Sequence, residues 1–230
     1  MNRFVVPSRK YPGKNISLPV ILVSSSPTHR MKIYQNKFLF ETSIGLLGLR
    51  QLELLKIKLP LSDFVLCLGY ESKKVLKLQL PIKTIENMAW EETGDIEAIR
   101  LALNIFPNED RVLILLGDTL PNDGSFNFIR LGESSISYYN GEDEEVGINT
   151  IDDILIGTSL EFTKKFSGIA YMEGKELKNL REFCNNTKNY RAMFWEFLKA
   201  SDKLKNKIKC YNDNVTIINT AKKLEELKYK

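Results

Sequence analysis

One aspartate stands at the end of one of the most apolar segments of the chain. Residues 111–119 read R-V-L-I-L-L-G-D-T, so a run of apolar residues is followed by a glycine and then by Asp118. Such a run predicts a buried strand. In open α/β sheets, ligands bind beyond the carboxyl ends of the strands, where polar groups reach solvent. Asp118 is therefore a candidate ligand-binding residue, and the alternative is a turn aspartate, since G-D-T is a common turn composition.

The surrounding pattern predicts the scaffold that positions Asp118. Apolar runs at 19–23, 63–70 and 111–119 alternate with segments at 44–57 and 95–106 whose apolar residues recur at helical spacing. Strands that alternate with helices favour a parallel sheet covered on both faces. Thr42 or Ser43 is available as the N-cap of the first helix.

The second half of the chain is less regular. Short runs such as 166–172 predict strands, and 175–183 and 190–200 predict helices. Four aromatic residues fall at helical spacing in the last of these segments. They are Tyr190, Phe194, Trp195 and Phe197. This spacing favours a core or dimer contact over a cage for a quaternary ammonium group.

Composition limits the classes of protein that fit. The chain has 230 residues and a net charge of +4, from 33 basic and 29 acidic residues without a long basic tail, so a nucleic-acid partner is not expected. No segment approaches the length of a membrane span, so no membrane partner is expected either. Cys67, Cys184 and Cys210 lack a pairing or metal-binding spacing, which favours a reduced, cytoplasmic compartment.

Six separated segments carry a resemblance to a known family. In chain order they are H-R-M-K-I-Y-Q-N-K-F-L-F-E, F-V-L-C-L-G-Y-E, E-N-M-A-W-E-E-T-G-D, L-I-L-L-G-D-T, F-S-G-I-A-Y-M and I-I-N-T-A-K-K-L. Together they resemble the nucleotidyltransferases that activate sugar phosphates or phosphocholine with an NTP. The first segment is similar to the family's G-S-R-M and P-K-P-L motifs, which places Arg30 and Lys37 on the family's arginine and lysine.

The resemblance implies both a fold and an activity. The fold is α/β, a Rossmann-like mixed, mostly parallel sheet with helices on both faces, as in GT-A glycosyltransferases. We expect one domain over 1–230, with an extension at 1–18, an NTP-binding half at 19–119 and an acceptor-binding half at 120–230. The expected partners are an NTP and a phosphorylated small acceptor, and the resemblance leaves open whether the chain forms a homo-oligomer.

The implied chemistry assigns roles to three residues. An NTP and a phosphorylated acceptor repel each other, so catalysis is mainly positioning and neutralisation of charge. Arg30 would clamp the phosphates of the leaving pyrophosphate, and Lys37 would steady the α-phosphate or the acceptor phosphate. Asp118, a hard oxygen ligand, would hold Mg²⁺.

Further residues are assigned to substrate binding by the same resemblance. They are Ser24, Ser25, Ser26, Thr28, Gly69, Thr93 and Gly94. Each also has a plain structural interpretation. The serines fit a polar loop, Gly69 fits a strand terminator, and Thr93 with Gly94 fits a helix cap.

The chain departs from the family pattern at two places. The family's glycine-rich L-A-A-G-x-G loop is here L-V-S-S-S-P, in which Pro27 lacks an amide donor. The aspartate expected before I-N-T is Ile217, and Asp213 lies four residues away. These departures favour an alternative function, a catalytically degenerate protein that binds a nucleotide or nucleotide-sugar.

Two more alternatives remain at this point. One is a GT-A-like glycosyltransferase, although G-D-T stands where such enzymes usually carry D-x-D. The other is a different register, in which P-S-R-K-Y-P-G-K-N at 7–15 resembles the opening of cytidylyltransferases that make CMP-sugars. The first register is preferred because the separation from Leu22 to Gly69 suits it and Lys37 then aligns without a gap.

Overall fold

The computed structural model describes residues 17–27, 35–213 and 215–228. Three features predicted from the sequence lie outside these residues. They are Thr28, Arg30 and the 7–15 segment of the alternative register.

Strands and helices alternate through the first half of the chain, as the sequence predicts. The strands are β1 (Val20–Ser24), β2 (Glu41–Thr42), β3 (Gly45–Leu46), β4 (Phe64–Leu68), β5 (Lys83–Glu86), β6 (Arg111–Leu116), β7 (Thr119–Leu120), β8 (Ser135–Asn140), β9 (Gly147–Ile151), β10 (Ile154–Ser159), β11 (Lys164–Glu173), β12 (Lys209–Asn212) and β13 (Thr216–Ile217). The helices are α1 (Leu47–Lys58), α2 (Ser72–Leu76), α3 (Asp95–Leu103), α4 (Gly174–Asn185), α5 (Phe194–Ala200) and α6 (Ala221–Lys228). Short 3-10 turns lie at Lys37–Leu39 and Thr187–Asn189.

Nine of these strands form one twisted sheet in the order β5-β4-β1-β6-β11-β8-β12-β10-β9. Pairing is parallel from β5 through β4 and β1 to β6. At β11 the pairing becomes antiparallel, and beyond it only the β12–β8 pair is parallel. The predicted α/β class with a mixed sheet is therefore confirmed, with the parallel part concentrated in the first half.

The inner parallel strands β1, β4 and β6 are buried because helices cover both faces of the sheet, whereas the edge strand β5 is mostly exposed. All five residues of β1 and of β4 are buried. Alternate residues point to opposite faces, so Ile21 packs in the cluster that contains α3, α4 and α5, whereas Leu22 packs in the cluster that contains α1. Fully burying one such side chain contributes about 1.5–3 kcal/mol, which explains the unbroken apolar runs.

The first helix begins later than the sequence predicts. Thr42 and Ser43, the predicted N-cap candidates, precede α1 because residues 41–46 form a tight hairpin of β2 and β3. Gly45 directly follows the turn of this hairpin and pairs with Thr42, with φ at +108°, a conformation that favours glycine. The Thr42 hydroxyl donates to the Gly45 carbonyl at 2.6 Å instead of capping the helix.

A small second sheet brings the end of the chain to the end of β6. β7 pairs antiparallel with β13, so that Thr119 lies opposite Ile217. The Ile218 amide also donates to the Asp118 carbonyl at 2.7 Å. This pairing places residues 217–219 beside the carboxyl end of β6.

The helices within the described ranges fall short, in length or in apolar character, of what membrane crossing requires.

Candidate functional site

A cavity of about 260 Å³ lies at the carboxyl ends of β1 and β6. This is the edge of the parallel sheet at which the sequence predicts ligand binding. Its walls combine charged and apolar side chains from both halves of the chain. The lining residues include Pro27, Lys37, Asp95, Asp118, Glu145, Met193, Trp195, Ile217 and Asn219.

Lys37 and Asp118 meet directly in this cavity. The Lys37 Nζ atom donates to Asp118 Oδ2 at 2.8 Å, and the two side chains are 18% and 23% exposed. Lys37 opens the 3-10 turn that follows β1, and Asp118 follows β6, the strand next to β1. Two residues that are 81 positions apart in the sequence thus form an ion pair at the edge of the sheet where the neighbouring strands β1 and β6 end.

The electrostatics of Lys37 reflect an acidic environment. Burial alone would lower the pKa of its ammonium group, but the nearby carboxylates of Asp118, Asp95 and Glu145 outweigh that effect, so the pKa is raised. Among the described residues that line the cavity, Lys37 is the only cation. It faces three acidic side chains.

Asp95 forms one acidic wall. It is the first residue of α3, where a carboxylate is favoured by the helix dipole, and it accepts a hydrogen bond from the Phe194 amide. Loss of hydration raises the pKa of Asp95 to about 6, with a further contribution from Asp118, while Lys37 opposes the shift. Asp95 is absent from the site residues predicted from the sequence.

Glu145 and Asn219 form another part of the cavity wall. The Asn219 Nδ2 atom donates to Glu145 Oε1 at 2.6 Å, and this bond fixes which end of the Asn219 amide faces the carboxylate. Asn219 is 5% exposed, and its Oδ1 atom has no hydrogen-bond partner in the described structure. A buried acceptor without a donor is costly unless a ligand or cation satisfies it.

This orphaned oxygen bears on the metal that the family resemblance implies. The described residues contain no group of three or more histidine, cysteine or acidic side chains that could hold a metal ion. Ile217, which replaces the expected aspartate, lines the cavity but offers no ligand atom. Two residues later, Asn219 presents Oδ1 on the segment bonded to Asp118. A carboxylate and an amide oxygen are hard ligands of the kind that Mg²⁺ accepts, so the residues present fit the ion.

The serines predicted to contact substrate lie beneath the cavity, outside its lining. Ser24 is buried, and its Oγ atom donates to Asn36 Oδ1 at 2.7 Å. Ser25 is 1% exposed, with a hydroxyl that has no partner in the described structure. Ser26 is partly exposed, and the next residue, Pro27, lines the cavity.

The other predicted substrate contacts form close backbone packing near the cavity. A Cβ atom at Gly69 would lie 2.3 Å from the Ser25 carbonyl oxygen, so glycine is required where these two loops meet. The Thr93 hydroxyl accepts from Asn87 and donates to Ala89, which closes the 87–93 loop. Gly94 stands at the N-cap position of α3, so the predicted helix start is confirmed. Whether these residues contact substrate remains a prediction.

The aromatic segment divides between core and cavity. Phe194 and Phe197 are fully buried in the main core cluster, as their helical spacing predicts. Trp195 differs, because it lies on the side of α5 that faces the cavity, next to the partly exposed Met193.

Sequence reasoning therefore identified Lys37 and Asp118 but missed four further residues of the cavity. These are Asp95, Glu145, Trp195 and Asn219. A usable signal existed for two of them. Asp95 opens the helix that follows the 87–94 loop, and Asn219 belongs to the I-N-T segment in which only the preceding aspartate position was considered.

Comparison with known proteins identifies the architecture. No family model and no curated protein matches the sequence. Solved structures do match. A CTP:phosphocholine cytidylyltransferase from Streptococcus pneumoniae has a TM-score of 0.75 at 16% identity, over 93% of this chain and 99% of that one. An inositol-1-phosphate CTP transferase from T. maritima has a TM-score of 0.75 at 13% identity, over 94% and 97%.

A third solved structure is a putative glucose-1-phosphate thymidylyltransferase from Bacillus anthracis. It has a TM-score of 0.74 at 13% identity and covers 93% of this chain and 94% of its own. At these identities the likeness establishes the fold, and that fold is the one found in nucleotidyltransferases. The predicted fold family is therefore confirmed.

Proposed function

We propose that this chain is an Mg²⁺-dependent nucleotidyltransferase that joins an NTP to a phosphorylated small acceptor and releases pyrophosphate. The observation that carries the proposal is the meeting of Lys37 and Asp118 in one cavity at the carboxyl edge of the parallel strands. A lysine and a metal-binding carboxylate at that edge are suited to positioning phosphates and neutralising their charge.

The reaction exchanges one phosphorus–oxygen bond for another. An oxygen of the acceptor phosphate attacks the α-phosphorus of the NTP. As the new bond forms, the bond from the α-phosphorus to the bridging oxygen of the β-phosphate breaks, and its electron pair leaves with pyrophosphate. The attacking oxygen is already anionic, so the step needs no strong base.

The chain's own residues supply positioning and charge. Lys37 exchanges part of its bond to Asp118 for phosphate oxygens, which frees an Asp118 oxygen as a ligand. Asp118 and Asn219 are the residues that would hold Mg²⁺, and when bound the ion supplies neutralisation of the charge that builds on the transferring phosphate. Arg30, which the resemblance assigns to the leaving pyrophosphate, is proposed for that role on sequence grounds alone.

The acidic walls favour one acceptor class. Asp95 and Glu145 remain as negative groups in the cavity after Lys37 and a metal ion have engaged phosphate. A neutral sugar gains nothing from them, whereas an amino-alcohol phosphate places a cation there. Trp195 adds an aromatic surface of the kind that attracts ammonium groups. The similar structures include a CTP:phosphocholine cytidylyltransferase as well as an inositol-1-phosphate CTP transferase and a putative glucose-1-phosphate thymidylyltransferase, so the preference for an amino-alcohol phosphate rests on the cavity residues and not on the fold.

Pyrophosphate release tests the proposal. The protein is incubated with Mg²⁺, each NTP in turn and either choline phosphate, ethanolamine phosphate or glucose 1-phosphate. We expect release with an amino-alcohol phosphate, and we expect Lys37→Ala to remove it. Lys58→Ala is the matched control, because Lys58 forms its ion pair with Asp123 at 3.9 Å, outside the cavity.

The second candidate function is a non-catalytic nucleotide-binding protein. It is supported by the S-S-S-P loop, since Pro27 lines the cavity but has no amide to offer a phosphate. Absence of pyrophosphate release with every substrate pair, together with stabilisation of the fold against heat by a nucleotide, would favour this candidate. Turnover with any pair would exclude it.

A further inference from the structure

Asn36 occupies an unusual position beneath the cavity. It is fully buried, and it immediately precedes Lys37. Its Nδ2 atom donates to the Ser24 carbonyl at 2.9 Å and to the Tyr70 carbonyl at 2.7 Å. Its Oδ1 atom accepts from the Ser24 hydroxyl at 2.7 Å and from the Phe38 amide at 2.9 Å. A single side-chain amide therefore uses both donors and both acceptor sites.

These four bonds join three separate segments. Ser24 ends β1, Tyr70 follows β4, and Phe38 lies in the 3-10 turn that carries Lys37. The backbone N–H of Asn36 also donates to Glu71 Oε2 at 3.3 Å, which is a second bond to the segment after β4. A buried, fully satisfied polar network specifies one arrangement, because losing one member leaves the others without partners.

The network joins the loop that departs from the glycine-rich pattern to the segment that is similar to the P-K-P-L motif. Ser24 lies in the loop that replaces the glycine-rich motif. Asn36 stands where the P-K-P-L motif has proline before its lysine. Ser24 and Asn36 bond to each other, so the altered loop is tied to the base of the lysine turn.

The hydrogen bond that Asn36 Oδ1 accepts from the Phe38 amide fixes the turn that carries Lys37. Asn36 is the N-cap of the turn Lys37–Leu39, and Phe38 on that turn is 1% exposed in the core. With the turn fixed on both sides, the Lys37 side chain extends into the cavity toward Asp118.

We propose that Asn36 is a positioning residue that holds Lys37 at the phosphate site, in place of the support that a glycine-rich loop and a proline would give. The inference rests on the proposed function for its catalytic consequence, but its structural part can be tested without turnover. Asn36 has no contact with the cavity itself, so its effect passes through Lys37.

The first test measures acetylation of Lys37 by acetic anhydride, with mass spectrometry, on metal-free full-length protein at one neutral pH. In Asn36→Ala we expect Lys37 to be labelled roughly tenfold faster, a factor within the range for residues that share one hydrogen-bond network. Lys165 is 2% exposed and donates to two backbone carbonyls, so it reports any global unfolding in the same sample.

Asn206→Ala is the matched control. Asn206 is also a buried amide with side-chain hydrogen bonds, to Asn179 and Ser201, but it lies away from the cavity. We expect it to lower stability without changing the labelling of Lys37. Ser24→Ala is a milder variant of the network, because it removes one hydroxyl and leaves Asn36 in place, and it should give a smaller increase.

A second readout applies if the protein turns over. Asn36→Ala should lower kcat more than it raises KM for the NTP, and combining it with Lys37→Ala should cost little beyond Lys37→Ala alone. Equal Lys37 labelling in Asn36→Ala, Asn206→Ala and the unaltered protein would overturn the inference. Faster labelling without any pyrophosphate release would keep it and remove the proposed function.

Discussion

The two halves of the sheet contribute to the cavity in different ways. In the parallel half, β1 and β6 end at the cavity, and Lys37 and Asp118 follow those ends. In the other half, Glu145 precedes β9, Trp195 lies on α5, and Asn219 follows β13. The first half thus supplies site residues from the carboxyl ends of parallel strands, where ligands bind in open α/β sheets. The second half supplies them from irregular connections between its strands and helices.

That difference separates shared chemistry from selectivity. Under the proposed function, phosphate binding would draw on the strand ends of the parallel half, whereas Glu145 and Trp195 would contact the acceptor. If the division holds, changes in the first half should affect all substrates and changes in the second should affect some of them.

The largest expected effect comes from Asp118. Asp118→Ala removes the proposed metal ligand and the ion-pair partner of Lys37, so we expect loss of roughly 10²–10³-fold or more in kcat for every substrate pair. Asp123→Ala is the control, since Asp123 is 98% exposed. The initial rate of pyrophosphate release is measured for both variants. Equal rates for Asp118→Ala and Asp123→Ala would contradict the proposed role of Asp118.

Stability should distinguish the same two regions. Leu66 in β4 is fully buried, so Leu66→Ala should lower the free energy of unfolding by about 2–5 kcal/mol. Ile151 at the end of β9 is 61% exposed, and Ile151→Ala should stay within about 0.5 kcal/mol. Urea denaturation followed by circular dichroism measures both. Similar losses would mean that the outer strands are covered by another chain in solution.

A smaller effect is expected from Asp95. Its pKa is raised from 3.8 to about 6 in the folded protein, mainly by loss of hydration, so the folded state binds the proton more tightly than the unfolded chain. The stabilisation by that proton is complete below pH 3.8 and is lost as the pH rises through about 6. Asp95→Asn should therefore stabilise the protein at neutral pH relative to the parent, by up to roughly 2 kcal/mol.

Chemical denaturation across this pH window measures the effect of Asp95→Asn. A stability difference that does not change with pH would show that the carboxylate is well hydrated. Glu97→Gln on the same helix is the control, because Glu97 pairs with Arg100 on the helix itself.

The smallest expected effect is on selectivity. Glu145→Gln removes one negative charge from the cavity lining and keeps the size of the side chain. We expect kcat/KM for an amino-alcohol phosphate to fall roughly tenfold, as for loss of an interaction of about 1.4 kcal/mol, with little change for a sugar phosphate. A parallel fall for both acceptors would instead assign Glu145 to the phosphate chemistry.

The fold could be predicted from the sequence where local signals and burial agree. The runs at β1, β4 and β6 are apolar except at Ser24 and Arg111 because both faces are covered, and only strands in such a position need that composition. Helix α3 was placed by its periodicity and by Gly94 before it. The start of α1 was less accurate, because the hairpin at Gly45 depends on one backbone conformation that periodicity does not reveal.

Only part of the site could be predicted from the sequence. Asp118 could be predicted because it follows an apolar run, and Lys37 could be predicted from the resemblance to the family. Glu145 lies in the acidic stretch G-E-D-E-E, so the sequence does not distinguish it from the neighbouring acidic residues. Its place at the cavity depends on the position of β9, which begins two residues later. Asn36 is a common loop residue in composition, and its importance comes from three segments that meet only in the folded chain.

The close packing at Gly94 has a consequence for the size of the cavity. The Gly94 amide bonds to the Tyr190 carbonyl at 3.0 Å, and the Ile96 amide bonds to the Ala192 carbonyl at 3.2 Å. A Cβ atom at position 94 would lie 2.1 Å from the Ala192 carbonyl oxygen. The start of α3 and the segment before α5 are therefore held together through their backbones. A methyl group added at position 94 would push these two segments apart and so enlarge the cavity between Asp95 and Trp195.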